Sequence, residues 1–209
     1  LARTRAALLA IVERERVDTI WAPAYEGAHQ DHDAANFLAW TLRDLAPVWE
    51  FAEYTNQGGR ARSQDFPCAS GAETVLALTP DEIAAKRRAL AAYPSEQGNL
   101  RHIAAGREVF RPLAGYDYAK PPHPGVLFYQ RFQWVWPRHP RVDYTKPQEV
   151  CDAIGAFRAR ASLTTQRART TSAGHDRDRL QRHLAAEPHR EDPDRRPARK
   201  PGAPRLRAR

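Results

Sequence analysis

The chain has no methionine, only two cysteines, and no apolar run near the roughly 18 residues that a membrane span requires. After Phe157 it has no valine, isoleucine or aromatic residue either. Each absence excludes something. Without a methionine, Leu1 reads as a literally translated alternative start codon or as a truncation point. Cys68 and Cys151 stand far apart and form no CxxC pair, so a disulfide framework or a cysteine-rich metal site has little support, and buried or idle thiols are expected. No basic-then-apolar leader opens the chain, which makes a cytoplasmic setting the expectation.

The impoverished end is also where the charge lies. Residues 158–209 hold 15 Lys and Arg against 6 Asp and Glu, whereas residues 1–157 hold 18 against 19, so the formal charge of +8 belongs to the tail. A segment so poor in apolar residues cannot bury enough surface to offset its ordering entropy. The expected organisation is one domain over 1–157 followed by a disordered, Arg- and Pro-rich tail over 158–209. One reading of the tail is a basic arm that contacts phosphates with strongly salt-dependent affinity. The other is a frameshift near Arg158, favoured by the abruptness with which the preceding helical pattern is lost.

Within 1–157 the periodicities alternate. Residues 4–15 place Ala7, Leu8, Ile11 and Val12 at helical spacing, and "VDTIWAPA" is short, β-branched and closed by a proline, the mark of a buried strand. Ala34, Phe37, Leu38, Thr41, Leu42 and Leu45 then predict a helix from about His29 to Leu45. "VWEFAEY" and, beyond Gly58 and Gly59, "ETVLAL" are strand candidates. Thr79, Pro80 and Glu82 give a capping-box helix start whose face of Ile83, Leu90 and Tyr93 is expected to pack in the core. "GREVFRPL" and the aromatic "GVLFYQRFQWVW" read as later strands or partly loop, and Thr145, Pro147 and Gln148 open a last helix with Val150, Ile154 and Phe157 on one stripe. No internal repeat is present. This order predicts an α/β fold with a parallel sheet.

The chemistry concentrates in "EGAHQDHDA", residues 26–34. His29 and His32, at i and i+3, can face one way from the first turn of a helix just past the carboxyl end of a strand, where open α/β sheets place their ligands. The helix N-terminus disfavours imidazolium, so both rings are expected to be neutral, able to bind metal or donate one hydrogen bond. Asp31 is placed to accept from a ring nitrogen and fix its tautomer. Catalytic zinc needs three protein ligands and an open fourth position.

"PAYEGAHQDHDA" resembles the second signature of the LmbE-like, or PIG-L, family of zinc-dependent de-N-acetylases, an apolar strand followed by P-x-x-x-G-G-H-x-D-H. "KRRALAAYPSEQ" is similar to that family's K-x-x-A-L-x-x-Y-x-S-Q helix, with Glu96 intervening before Gln97, and the resemblance spans roughly residues 5–157. It implies a Rossmann-like parallel sheet with flanking helices and hydrolysis of an acetamide on an amino sugar or sugar conjugate. His32 would be a zinc ligand, His29 the group that polarises the tetrahedral intermediate and protonates the leaving amine, and Asp31 its orienting partner. The family's first signature, A-H-P-D-D-E, is missing: His123-Pro124 and His139-Pro140 are followed by Gly and Arg, and "GHDRD" at 174–178 lies in the tail. Ala28 stands where the family has Gly. The expectation is therefore a fold without its first strand and half a site, binding zinc weakly and not turning over unless His102, His123 or Asp65 completes the ligand sphere. The competing expectation is a non-catalytic α/β binding protein whose basic tail contacts nucleic acid.

Overall fold

A computed structural model describes residues 1–100, 103–140 and 142–160. The expectations for the tail lie outside the described residues, except that 158–160 continue the last helix. Helix α1 (Ala2–Glu15) stops where Arg16 turns left-handed at φ 52, its amide bonding the Glu13 and Val12 carbonyls. Strand β1 (Ile20–Pro23), helix α2 (Gln30–Trp40) and strand β2 (Val48–Phe51) follow as a β-α-β unit. β1 and β2 pair in parallel, Ile20 opposite Val48 and Pro23 opposite Phe51, and Ala39 of α2 packs on Ala22 and Val48. Strands β3 (Tyr54–Gln57) and β4 (Arg60–Ser63) form a separate hairpin. Its two-residue turn needs positive φ twice, which Gly58 and Gly59 supply at 58° and 75°.

Strand β5 (Thr74–Ala77) leads into helix α3 (Pro80–Ala91), a 3-10 turn (Pro94–Glu96) and the single-turn α4 (Gln97–Leu100). Strand β6 (Arg107–Pro112), a 3-10 turn (Phe128–Gln130) and helix α5, residues 147–160, complete the described chain. As the spacing predicts, Thr79 and Glu82 form a reciprocal capping box. The stripe of α5 is seated as well: Ile154 joins Tyr25, Phe37 and Tyr118 in one cluster, with Val150 and Phe157 against it. Cys151 is buried and Cys68 exposed, both as free thiols.

Three expectations are corrected. The fold is α/β, but the four-stranded sheet, ordered β1-β2-β6-β5, is mixed rather than parallel: β6 runs antiparallel to both β2 and β5. Strand periodicity carries no information about direction, so the alternation of "GREVFRPL" could not show the reversal. The face of Ile83, Leu90 and Tyr93 does not enter the core. No residue of α3 is buried and Tyr93 is 61% exposed, because α3 follows edge strand β5, whose four residues are all exposed. Finally, the helix expected to run to about Leu45 ends at Trp40, with turns over 41–45; "GVLFYQRFQWVW" takes the loop alternative, as turns and one 3-10 turn.

The middle of the sheet is held by charge. Arg111 of β6 and Glu50 of β2 sit opposite each other, 2% and 0% exposed, with Arg111 Nε donating to Glu50 Oε1 at 2.7 Å. The guanidinium also donates to Glu73 at 2.7 Å, to the Cys68 carbonyl at 2.9 Å and to the Tyr116 hydroxyl at 2.9 Å. Tyr116 in turn donates to Glu50, whose Oε2 receives the Asn36 amide at 2.9 Å, and Tyr118 donates to Asn36 Oδ1 at 2.6 Å. The Ser70 amide first, and Arg111 with it, hold the Glu73 carboxyl down to about 2. Every polar group in this network has a partner, the condition under which a buried charge is tolerated.

Candidate active site

Beyond β1 the chain does not surface; Ala24 to Ala28 are all buried before α2 begins. A buried loop must find partners for its amides; Asp33 accepts from two of them, and the loop's own Glu26 accepts from two amides of the segment after β2. Asp33 Oδ1 accepts from the amides of Glu26 at 3.2 Å and Gly27 at 3.0 Å. Glu26 Oε1 accepts from the amides of Glu53 at 2.9 Å and Tyr54 at 3.1 Å. The Thr55 hydroxyl donates to the Glu26 carbonyl at 2.9 Å and the Phe128 amide to the Gly27 carbonyl at 2.9 Å. Gly27 is at φ 69, and a Cβ there would lie 2.8 Å from Leu127 Cδ2, so the positive torsion and the close approach both call for glycine at this position. Ala28 has an ordinary torsion.

Burial dominates the electrostatics of this staple. It pushes the Asp33 carboxyl up to about 7 against the amide bonds that favour its charged form, and it pushes Glu26 well above the usual carboxylate range. Neither residue stands out in the sequence, because a buried acid and a solvated one have the same letter.

His29 is the N-cap of α2, and its Nδ1 accepts from the Asp31 amide at 3.2 Å, which leaves Nε2 to carry the proton of the neutral ring. The Asp31 carboxylate lies 3.7 Å from Nδ1, beyond hydrogen-bond length, on a side chain 85% exposed; the backbone rather than the carboxylate makes the bond to the ring. His32 lies three residues on, in the first turn of α2, its ring 5.8 Å from that of His29 and 5.9 Å, edge-on, from Tyr54. Its Nδ1 stands 3.0 Å from Glu53 Oε2, a close but poorly directed contact.

The sequence thus brings His29 and His32 together, but the surroundings of His32 do not favour the neutral form expected of it. Burial disfavours its charge, yet Glu53, with Asp33 and Asp31 adding, outweighs burial and raises its pKa. Glu53 could not be foreseen here, since "VWEFAEY" reads as one continuous strand and the break that aims Glu53 at His32 falls inside it.

The further ligand candidates are committed elsewhere. His123 is bonded to the Thr55 hydroxyl at 3.1 Å and the Pro124 carbonyl at 2.9 Å, and Asp65 pairs with Arg62 and Arg107, each at 3.6 Å. His102 lies outside the described residues. Among the described residues no group of three His, Cys, Asp or Glu side chains could hold a metal ion. These residues alone do not fit a catalytic zinc: the donor set amounts to His32 with its neighbour His29, and the Nδ1 of His32 is held against Glu53. No helix among them is long and apolar enough to cross a membrane. No family model, no curated protein and no solved structure matches the chain.

Proposed function

We propose that the chain carries one half of the site of an LmbE-like de-N-acetylase, which removes acetyl from an N-acetylated amino sugar or sugar conjugate in the cytoplasm. The observation that carries this reading is the placing of His29 at the N-cap and His32 in the first turn of α2, with their rings 5.8 Å apart, past the carboxyl end of a strand in a β-α-β unit. The Rossmann-like architecture belongs to the same proposal, supported by that unit. In this reading His29 faces the acetamide: its Nε2–H donates to the carbonyl oxygen as charge develops there, while the leaving amine takes the proton that the water-activating carboxylate removes from the attacking water. Asp31 assists through its backbone amide, which sets the tautomer. His32 is the one metal ligand contributed here, and the other ligands and the water-activating carboxylate come from outside the described residues.

The chain as given is expected to bind zinc weakly and to release no acetate from N-acetylglucosaminides. Extended by an N-terminal segment carrying an A-H-P-D-D-E signature, it should gain both, and His29→Ala or His32→Ala should then cost about 100-fold or more in turnover. Isothermal titration with zinc and an acetate-release assay check this. Tight stoichiometric zinc or turnover by the 209-residue chain itself would overturn the half-site reading.

A further inference from the structure

Residues 118–142 contain no Asp or Glu but include Lys120, Arg131, Arg138 and Arg141. The same stretch carries the two most exposed large hydrophobic side chains among the described residues, Trp136 at 86% and Trp134 at 79%, together with exposed Phe132 and Val126. An acid-free, aromatic and cationic segment is unusual in a chain whose first 157 residues are otherwise balanced in charge.

The loop is not loosely attached. Leu127, Phe128 and Tyr129 are buried at its base, and the Phe128 amide bonds the Gly27 carbonyl. The Gln133 amide donates to the carbonyls of Asp143 and Thr145, both at 2.9 Å. The Tyr144 hydroxyl donates to the Val135 carbonyl at 3.0 Å and accepts from the His139 amide at 2.9 Å. The backbone is thus pinned from the protein side while the indoles stand in water. Large apolar rings held out by a fixed backbone mark a surface that meets another phase or partner.

We infer that this loop is a membrane-surface anchor, with Trp134 and Trp136 inserting at the headgroup level of an anionic bilayer. Indole is the side chain most at home there, having an apolar body and one polar N–H. The charge is complementary, since cations near an anionic leaflet add attraction within a Debye length and no acid in the loop opposes it. The arginines favour lipid over nucleic acid as the occupant. Arg131 lies over the Phe128 and Phe132 rings and Arg138 over Tyr144, giving a diffuse positive field rather than a clamp on individual phosphates. The inference is independent of the reaction proposed above.

The test uses the full chain, tail included, with vesicles of equal parts phosphatidylglycerol and phosphatidylcholine, some with brominated acyl chains. Co-sedimentation and tryptophan emission are the readouts. The native chain should bind with a blue-shifted emission that bromine quenches. Trp134→Ser/Trp136→Ser, with its far-UV dichroism unchanged, should lose the shift and the quenching and bind at least about 10-fold more weakly. Phosphatidylcholine alone should bind more weakly than the mixture. Three results would overturn the inference: no bromine quenching of the native chain, native-like binding and spectra in the double variant, or quenching by single-stranded oligothymidylate in place of any response to vesicles.

Discussion

Arg111→Met is expected to lower the stability of the fold by about 3–5 kcal/mol, because it leaves Glu50 fully buried without its counter-charge. The loss has two parts. Glu50 keeps the Tyr116 and Asn36 bonds, but these are hydrogen bonds from neutral groups. The Cys68 carbonyl also loses its guanidinium donor, and Glu73 loses one donor while keeping those of Ser70 and Gly71. The partner change, Glu50→Gln, should be damaging for the mirror reason, and the double variant Glu50→Gln/Arg111→Met should recover part of the single-variant loss, since it leaves no unpaired charge. Urea denaturation followed by far-UV dichroism would measure all three. A loss below about 1 kcal/mol for Arg111→Met would show that water reaches Glu50 and that the pair is not a buried one.

A comparable effect should appear with pH. Asp33 has an ordinary carboxyl pKa in the unfolded chain and one raised to about 7 in the fold. Between those values the folded state holds a proton that the unfolded state has released, so stability falls as pH rises, reaching its full loss above about 7. The gap from 3.8 to about 7 corresponds to roughly 4 kcal/mol. Glu26, also raised by burial, adds in the same direction. His32, raised above its usual value, stabilises the fold at low pH and loses that contribution as pH rises through its folded pKa, so its slope has the same sign. The protein should therefore be markedly more stable near pH 5 than near pH 8. Asp33→Asn keeps an oxygen to accept from the Glu26 and Gly27 amides while removing the charge, and should flatten most of the slope, leaving the shares of Glu26 and His32. Equal slopes in variant and native chain would place the titration elsewhere.

Both predictions rest on residues that the sequence could not single out. Glu50, Arg111, Glu26 and Asp33 are charged letters in apolar surroundings, and charge is ordinarily a sign of surface; only the three-dimensional pairing shows why they are inside. What was legible followed local rules. Thr79, Pro80 and Glu82 act within one turn, His29 and His32 are neighbours by helical spacing, and the α5 stripe repeats every three or four residues. What failed depended on long-range arrangement. The direction of β6 is set by its place between β2 and β5, and the fate of the α3 face by whether anything lies over it. The contact of His32 with Glu53 depends on a strand break that alternation does not reveal.

The bare flank formed by β5 and α3 has a consequence for motion. Neither element has a buried side chain, so it is held by its ladder to β6, the Thr79–Glu82 cap and the ion pair of Lys86 with Glu108. Lifting it away exposes little apolar surface and leaves Glu50, Arg111 and the parallel pair in place, although Glu73, one residue before β5, would loosen. Such a segment opens as its own cooperative unit at a small fraction of the global unfolding free energy. Its amides should exchange with deuterium well before those of β1 and β2, and within residues 1–157 limited proteolysis should cut first between residues 78 and 93, opening the flank while the histidine pair stays seated.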